Sequence, residues 1–386
     1  MLKQNLNLFK INDFLCGFWP LSAVAIIYFT IITKSYTIAM LIFSTISIAQ
    51  SVTEIPGGII SDKISRKSTL IIATISIFLG YLLWAIAGNS EVISLLFIGA
   101  FFVGIGNAFL SGTDNAIIYE TLEELSSEQN FDYIYSQNKS FEQLGMCISA
   151  LLATIAYYYS NINILAWISV IPALLRIIVV CLYIDPNRNC NSNQETSIKH
   201  FLKSWYLLIR NRHLLKLAII SSFHHSLNAA NWRFCGAYYE TLIAPWVINL
   251  VRVFQEFMGF VGFYLIRFIR KLNSLQLLFV SISSNALIKL LGLFINNPLT
   301  PFIMASSTIM YGISSTVEHT LLQQQYTDRQ RATLGSVVSF FGGIMSLIVF
   351  TTTGYIADKY SPYLAILILI LSRLVIGIIY PKVLKK

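Results

Sequence analysis

The sequence predicts an all-α integral membrane protein with twelve transmembrane helices, arranged as two six-helix pseudo-repeats. Three observations predict it. Only 12% of the 386 residues are charged while 55% are hydrophobic, with a mean hydropathy of +0.66, whereas soluble domains carry about a quarter charged residues. Low-charge apolar runs of about 20 residues, enough to cross ~30 Å of hydrocarbon at 1.5 Å per residue, recur along the whole chain. Lysine and arginine fall almost entirely into alternate connections, the asymmetry that orients membrane helices.

In chain order, spans are expected at 12–33, 37–60, 68–88, 92–118, 138–159, 163–184, 214–241, 244–266, 274–294, 299–322, 333–356 and 362–380. The first carries Asp13 and has no small-residue cleavage site, so it reads as a retained helix rather than a signal peptide. Connections are short except at 185–213, a polar linker that separates an N-terminal half, 1–184, from a C-terminal half, 214–386. Within the linker, Phe201, Leu202, Trp205, Leu208 and Ile209 share one helical side, away from Lys199 and Lys203, which predicts a helix lying on the membrane surface. With the N-terminus inside, the inner segments hold twenty lysines and arginines and the outer loops only Lys34 and Lys359. Both termini are then cytoplasmic.

The net charge of +9 does not indicate nucleic acid, because the basic residues are spread over short loops instead of gathered on a soluble face. The five cysteines have no metal-ligand spacing and read as structural thiols, without disulfide, zinc or other cofactor. A membrane-embedded transferase would need clustered aspartates or a large external loop. The sequence has neither, so no enzymatic role is expected.

Between the second and third spans, Gly58 is followed by Asp62, Lys63, Ser65, Arg66 and Lys67. Gly58, Lys63, Arg66 and Lys67 reappear 204 residues later as Gly262, Arg267, Arg270 and Lys271, with Ile266 in place of Asp62. Ser140-Phe141 matches Ser339-Phe340, and Arg176 of span six matches Arg373 of span twelve. These are the marks of a parallel internal repeat.

Ionisable residues inside the spans are Asp13, Glu54, Asp114, Glu142, Arg176, Arg233, Arg252, Glu256, Lys289, Glu318 and Arg373. Each would cost ~2.5–3.5 kcal/mol facing lipid at mid-membrane, so most are expected to face a partner or a wet cavity. Asp13, near a helix end, is the one for which snorkelling to interfacial water is the simpler reading. Glu54, Asp114 and Glu142 lie toward the inner ends of spans two, four and five; they are either proton-coupling groups or latches for Arg66, Lys67 and Lys139. Ser221, His224, His225, Asn228 and Asn231 form a polar stripe along span seven that predicts a cavity face, with Arg233 beyond it and Glu318 on span ten. Either histidine could titrate near neutrality or simply hydrogen-bond within the bundle. Arg252 and Glu256, one turn apart, read as an intrahelical ion pair or a substrate anchor.

The loop pattern G-x-x-x-D-[RK]-x-G-R-[RK], met here with Ser65 at the second glycine, resembles that of the major facilitator superfamily. The likeness extends to the twelve spans, the central linker, the segment from Gly104 to Leu122, and DRQRATLGS at 328–336. It implies a monomeric secondary transporter of a small molecule in the cytoplasmic (inner) membrane of a bacterium, proton-coupled and working as an efflux antiporter. A nutrient or siderophore-related carrier, or a receptor on a transporter scaffold, are the alternatives. Gly58, Asp62, Lys63, Arg66 and Lys67 would form the gating motif, with Asp62 meeting Thr333 to Gly335 and Arg66 meeting Asp114 or Glu120. Two departures stand out: Ala100 replaces the membrane arginine that precedes Gly104 in drug/proton antiporters, and span five lacks their glycine-proline motif.

Overall fold

The computed structural model describes residues 2–186, 212–269, 273–325 and 328–384, and among these the regular structure is helical. In order the helices are α1 (Lys3–Gly17), α2 (Ala25–Thr33), α3 (Tyr36–Lys63), α4 (Arg66–Ser90), α5 (Ile93–Leu110), α6 (Thr113–Glu124), α7 (Phe131–Tyr159), α8 (Ile162–Cys181), α9 (Arg212–Tyr239), α10 (Pro245–Ile269), α11 (Ser274–Ile295), α12 (Thr300–Ser306), α13 (Thr308–Gln325), α14 (Asp328–Lys359) and α15 (Pro362–Leu384). Nine of the twelve expected stretches fall on single helices, to within a few residues at their ends. The other three are broken rather than continuous: 12–33 falls on α1 and α2, 92–118 on α5 and α6, and 299–322 on α12 and α13.

Each break has a local cause. Pro20 follows α1, and a proline ring cannot donate the backbone bond that would carry a helix through. Gly112 between α5 and α6 adopts φ +81°, a left-handed conformation that other residues resist. At Ser307, between α12 and α13, the carbonyl accepts from Met310 N at 3.0 Å and from Asn285 Nδ2 at 2.6 Å, so a side chain of α11 braces the bend.

Eight stretches of described residues are long and apolar enough to cross a bilayer, including Arg66–Ser90, Ile162–Cys181 and Pro362–Tyr380. The expected spans at 12–33, 214–241, 244–266 and 299–322 are not among them. The first and last are interrupted, and the middle two dilute their apolar runs with His224, His225, Asn228, Asn231, Arg233, Arg252 and Glu256. The count of twelve crossings therefore stays a sequence-based expectation.

Contacts divide the chain into two compact units: Met1–Ser22 with Thr45–His200, and Ala23–Ser44 with Phe201–Lys386. In the first, α4 packs along α5 and α8, and α1 along α7 and α8. A cluster of Leu8, Phe9, Leu70, Ile117, Ile118 and Tyr183 with other apolar side chains fills its interior. Gly17 and Gly145 let α1 and α7 touch backbone to backbone, since a Cβ on either would strike the carbonyl of Glu142 or Phe14. In the second, α9 packs on α14, α15 and α2, α10 on α13, and α11 on α15 and α13. Segment 23–44 thus groups with residues beyond 200, a connection the sequence does not announce.

One interaction in the second unit was not foreseen. The Asp358 carboxylate at the end of α14 accepts from Ser35 Oγ (2.6 Å), Tyr36 N (2.7 Å), Thr37 N (2.9 Å) and Thr37 Oγ1 (2.7 Å), capping the start of α3. Free N–H groups at a helix start attract such an anion. Ser65, the departure from the loop pattern, does a similar task for α4: its hydroxyl accepts from Ser68 N at 3.1 Å. The expected surface helix at 199–209 and the side chains of Gly58, Asp62 and Lys63 lie outside what the structure describes.

Candidate functional site

The second unit encloses a cavity of about 280 Å³ between α9, α10, α11, α12, α13 and α15. Helix α9 supplies one wall through His225, Asn228, Asn231 and Trp232, Asn228 lying three residues after His225 and three or four before the other two, and through Arg233 at its border. Opposite stand Gln255 and Glu256 of α10, Asn285 and Lys289 of α11, Thr308 and Tyr311 of α13, and Arg373 of α15. Of the polar stripe expected along this helix, His225, Asn228 and Asn231 line the cavity, as does Arg233 beyond it, whereas Ser221 and His224 do not.

His224 faces elsewhere. It is 1% exposed, with Nδ1 3.4 Å from Glu318 Oε2 and Nε2 3.3 Å from Asn228 Nδ2, and Glu318 also accepts from the Tyr380 hydroxyl at 2.8 Å. His224 and Glu318 therefore form a buried pair behind the cavity wall, not part of its lining, because adjacent residues on a helix point about 100° apart. Arg252 is likewise set back: its Nε lies 2.9 Å from Glu256 Oε1, and its guanidinium stacks 3.7 Å from the Trp232 ring centroid. Only Glu256 of that pair reaches the cavity. Arg233 lies over Phe43 and Phe350, 4.8 and 5.3 Å from their ring centroids, and donates to the Phe43 carbonyl at 3.4 Å.

The stacking on Trp232 bears on whether Arg252 and Glu256 are interchangeable. A cation over an indole face gains roughly 0.5–2 kcal/mol, and a carboxylate in its place gains nothing. Exchanging the two residues, Arg252→Glu with Glu256→Arg, should therefore leave the protein several degrees less stable in thermal unfolding, although the ion pair is formally kept. A swapped variant as stable as the wild type would show that the pair alone matters.

Lys289, Arg373 and Asn285 were not assigned to the cavity from sequence. Asn285 and Lys289 are one turn apart on α11, and this spacing was the available signal. Lys289 Nζ bonds Asn231 Oδ1. Arg373 is 2% exposed, and its Nε has no hydrogen-bond partner.

In the first unit the buried charges gather differently from expectation. Asp13 does not snorkel: it is 4% exposed, and its Oδ1 accepts from Asn12 Nδ2 at 3.2 Å, while Asn12 Oδ1 accepts from Arg176 Nε at 3.2 Å. Asp114 of α6, Lys139 and Glu142 of α7 and Arg176 of α8 act on Asp13 electrostatically. Glu142 pairs with Lys139 at 2.7 Å, one turn away on the same helix. The Ser111 hydroxyl lies 3.5 Å from Glu54 Oε1. Asp114 and Glu142 both act on Asp13 electrostatically, so Asp13 joins those two carboxylates. Arg66 meets Glu120, at 3.1 Å, and not Asp114.

The sequence model described as Major Facilitator Superfamily matches residues 14–383. A protein of Buchnera aphidicola subsp. Acyrthosiphon pisum (strain APS), described as the uncharacterized transporter BU466, is 27% identical over 187 residues. That similarity takes in 47% of this chain and 44% of the Buchnera protein, so the chain spans under half of that relative's length. Among solved structures, a mutant of the nucleoside transporter NupG superposes with a TM-score of 0.83 at 14% identity, covering 99% of this chain and all of that one. A D-xylose-proton symporter superposes with a TM-score of 0.72 at 13% identity, covering 96% of each chain. At such identities the likeness is one of fold.

Proposed function

The chain belongs to the Major Facilitator Superfamily, a family of transporters rather than enzymes, and from that premise we propose that it moves a small organic solute across the cytoplasmic membrane by alternating access, coupled to protons. The cavity of the second unit carries the reading. A space of about 280 Å³ in which amide, hydroxyl and charged side chains stand among Trp232, Met304 and two alanines is wasteful in a purely structural bundle and suits a solute with polar groups. Export is the direction we assign, following the resemblance to bacterial efflux members. Uptake together with a proton, as by a nutrient carrier, is the second reading; the D-xylose-proton symporter among the similar folds favours it. Asp13 and Asp114, beside Arg176 and Lys139, are the proposed proton-coupling groups. A monomer with twelve crossings and both termini inside completes the reading.

Gating is assigned to the loop motif Gly58, Asp62, Lys63, Arg66 and Lys67, steadied by the Arg66–Glu120 pair. Reconstituted in liposomes, Asp62→Asn should cut transport severalfold while purified yield and thermal stability hold. Undiminished transport in that variant would sink the gating role. Imposing a pH gradient of either sign on the same liposomes decides direction: solute accumulation on the acidic side supports antiport, and accumulation on the opposite side supports symport. A chain that binds solute but never moves it would be a receptor.

A further inference from the structure

The cavity's charges do not balance. Three cations line it, Arg233, Lys289 and Arg373, against one carboxylate, Glu256, which is already engaged by Arg252. Arg233 is accommodated by two aromatic faces. Lys289 and Arg373 have no such provision: among the described residues neither forms an ion pair, and Arg373 acts on Lys289 as a like charge. Glu318 acts on Arg373 electrostatically without forming an ion pair with it, and its carboxylate is held by His224 and Tyr380. Burying an unpaired cation is among the costlier things a fold can do, and buried donors without partners are rare. Yet Arg373 is 2% exposed with Nε unbonded, and Lys289 spends one of its three donors on Asn231.

The contrast with the first unit sharpens the point. Arg176, the repeat counterpart of Arg373, is met by Asn12 and by the charges of Asp13 and Asp114. Its copy in the second unit has Glu318 acting on it at a distance but no side-chain hydrogen bond among the described residues like the one from Arg176 to Asn12. Two more cavity atoms are unmet, the donor Asn231 Nδ2 and the acceptor Asn285 Oδ1.

We propose that the second-unit cavity binds the oxyanion group of an anionic solute, a carboxylate or a phosphate, between Lys289 and Arg373. Asn231 Nδ2 and Asn285 Oδ1 then receive an adjacent hydroxyl, which both accepts and donates. The volume lies at the small end for ligand pockets, so the solute is a small hydroxy acid or sugar phosphate in size. This rests on the transporter reading and specifies the solute's charge.

The test is thermal unfolding of the purified full chain in detergent with lactate, citrate, inorganic phosphate and glycerol 3-phosphate, against neutral D-xylose and uridine and cationic choline. At saturation at least one anion should raise Tm by roughly 5 °C. That shift should vanish in Arg373→Met and in Lys289→Gln, and persist in Arg373→Lys. Without ligand, Arg373→Met should unfold no earlier than wild type, because it removes a buried charge that forms no ion pair and leaves Glu318 held by His224 and Tyr380. Should Arg373→Met fail to fold, that failure itself contradicts the unpaired charge, and Lys289→Gln still reads the site. Carboxylates alone, or phosphates alone, giving the shift identifies the oxyanion. Stabilisation only by xylose, uridine or choline, no shift with any anion, or an anion shift unchanged in both neutralised variants would overturn the proposal. Of these, binding of a neutral or cationic solute followed by its transport would leave the family-based reading intact.

Discussion

Arg176→Leu should cost the protein about 3–5 kcal/mol, the scale expected when one member of a buried ionic network is removed and its partners are left behind. Arg176 is 5% exposed in α8, and its Nε holds Asn12, which in turn holds Asp13. Without the guanidinium, Asp13 and Asp114 retain Lys139 as their neighbouring cation, and Lys139 is already committed to Glu142. Thermal unfolding in detergent should therefore show a large fall in Tm or loss of folded protein. Adding Asp13→Asn should recover part of the loss, since it removes one of the stranded charges. A single variant as stable as wild type would mean the network is not what holds α1 against α8.

Asp114→Asn should have the largest effect on transport. Asp114 sits in the first turn of α6, just past the break at Gly112, where it acts on Asp13 and is acted on by Lys139, Arg176 and Glu142. Intramembrane carboxylates of this kind are the groups that carry protons in transporters. Solute accumulation driven by a pH gradient in liposomes should fall by roughly tenfold or more, with exchange of solute at equal pH less affected. Asp13→Asn should act in the same direction. Equal losses in gradient-driven and equal-pH transport would instead mark Asp114 as structural, and no loss in either would move coupling elsewhere.

The helical architecture was legible because membrane spans write themselves as apolar runs, and nine of the predicted runs fall on single helices. The breaks at Pro20, Gly112 and Ser307 were less so, since proline, glycine and serine also occur inside unbroken membrane helices. The cavity wall from α9 was readable because its polar residues keep helical spacing. Which of two adjacent histidines lines it was not, because His224 and His225 differ only in rotation about the axis. Lys289 and Arg373 were visible as intramembrane charges, but their want of an ion pair is a property of the packed unit. So is the burial of Asp13, which nearness to a helix end made look solvent-reaching. The grouping of 23–44 with the second unit, and the Asp358 cap on α3 within it, join residues more than 300 positions apart that no local pattern connects.

The central claim is that this chain carries a solute it binds in the second-unit cavity. The most direct measurement is counterflow: liposomes holding the purified full chain are preloaded with the compound that most raises its Tm, then diluted into a trace of the same compound in radiolabelled form. Transient accumulation of label in wild-type liposomes, absent from protein-free ones and lost in Lys289→Gln, is the predicted result. Label uptake no greater than in protein-free liposomes, by protein that still binds the compound, would contradict it.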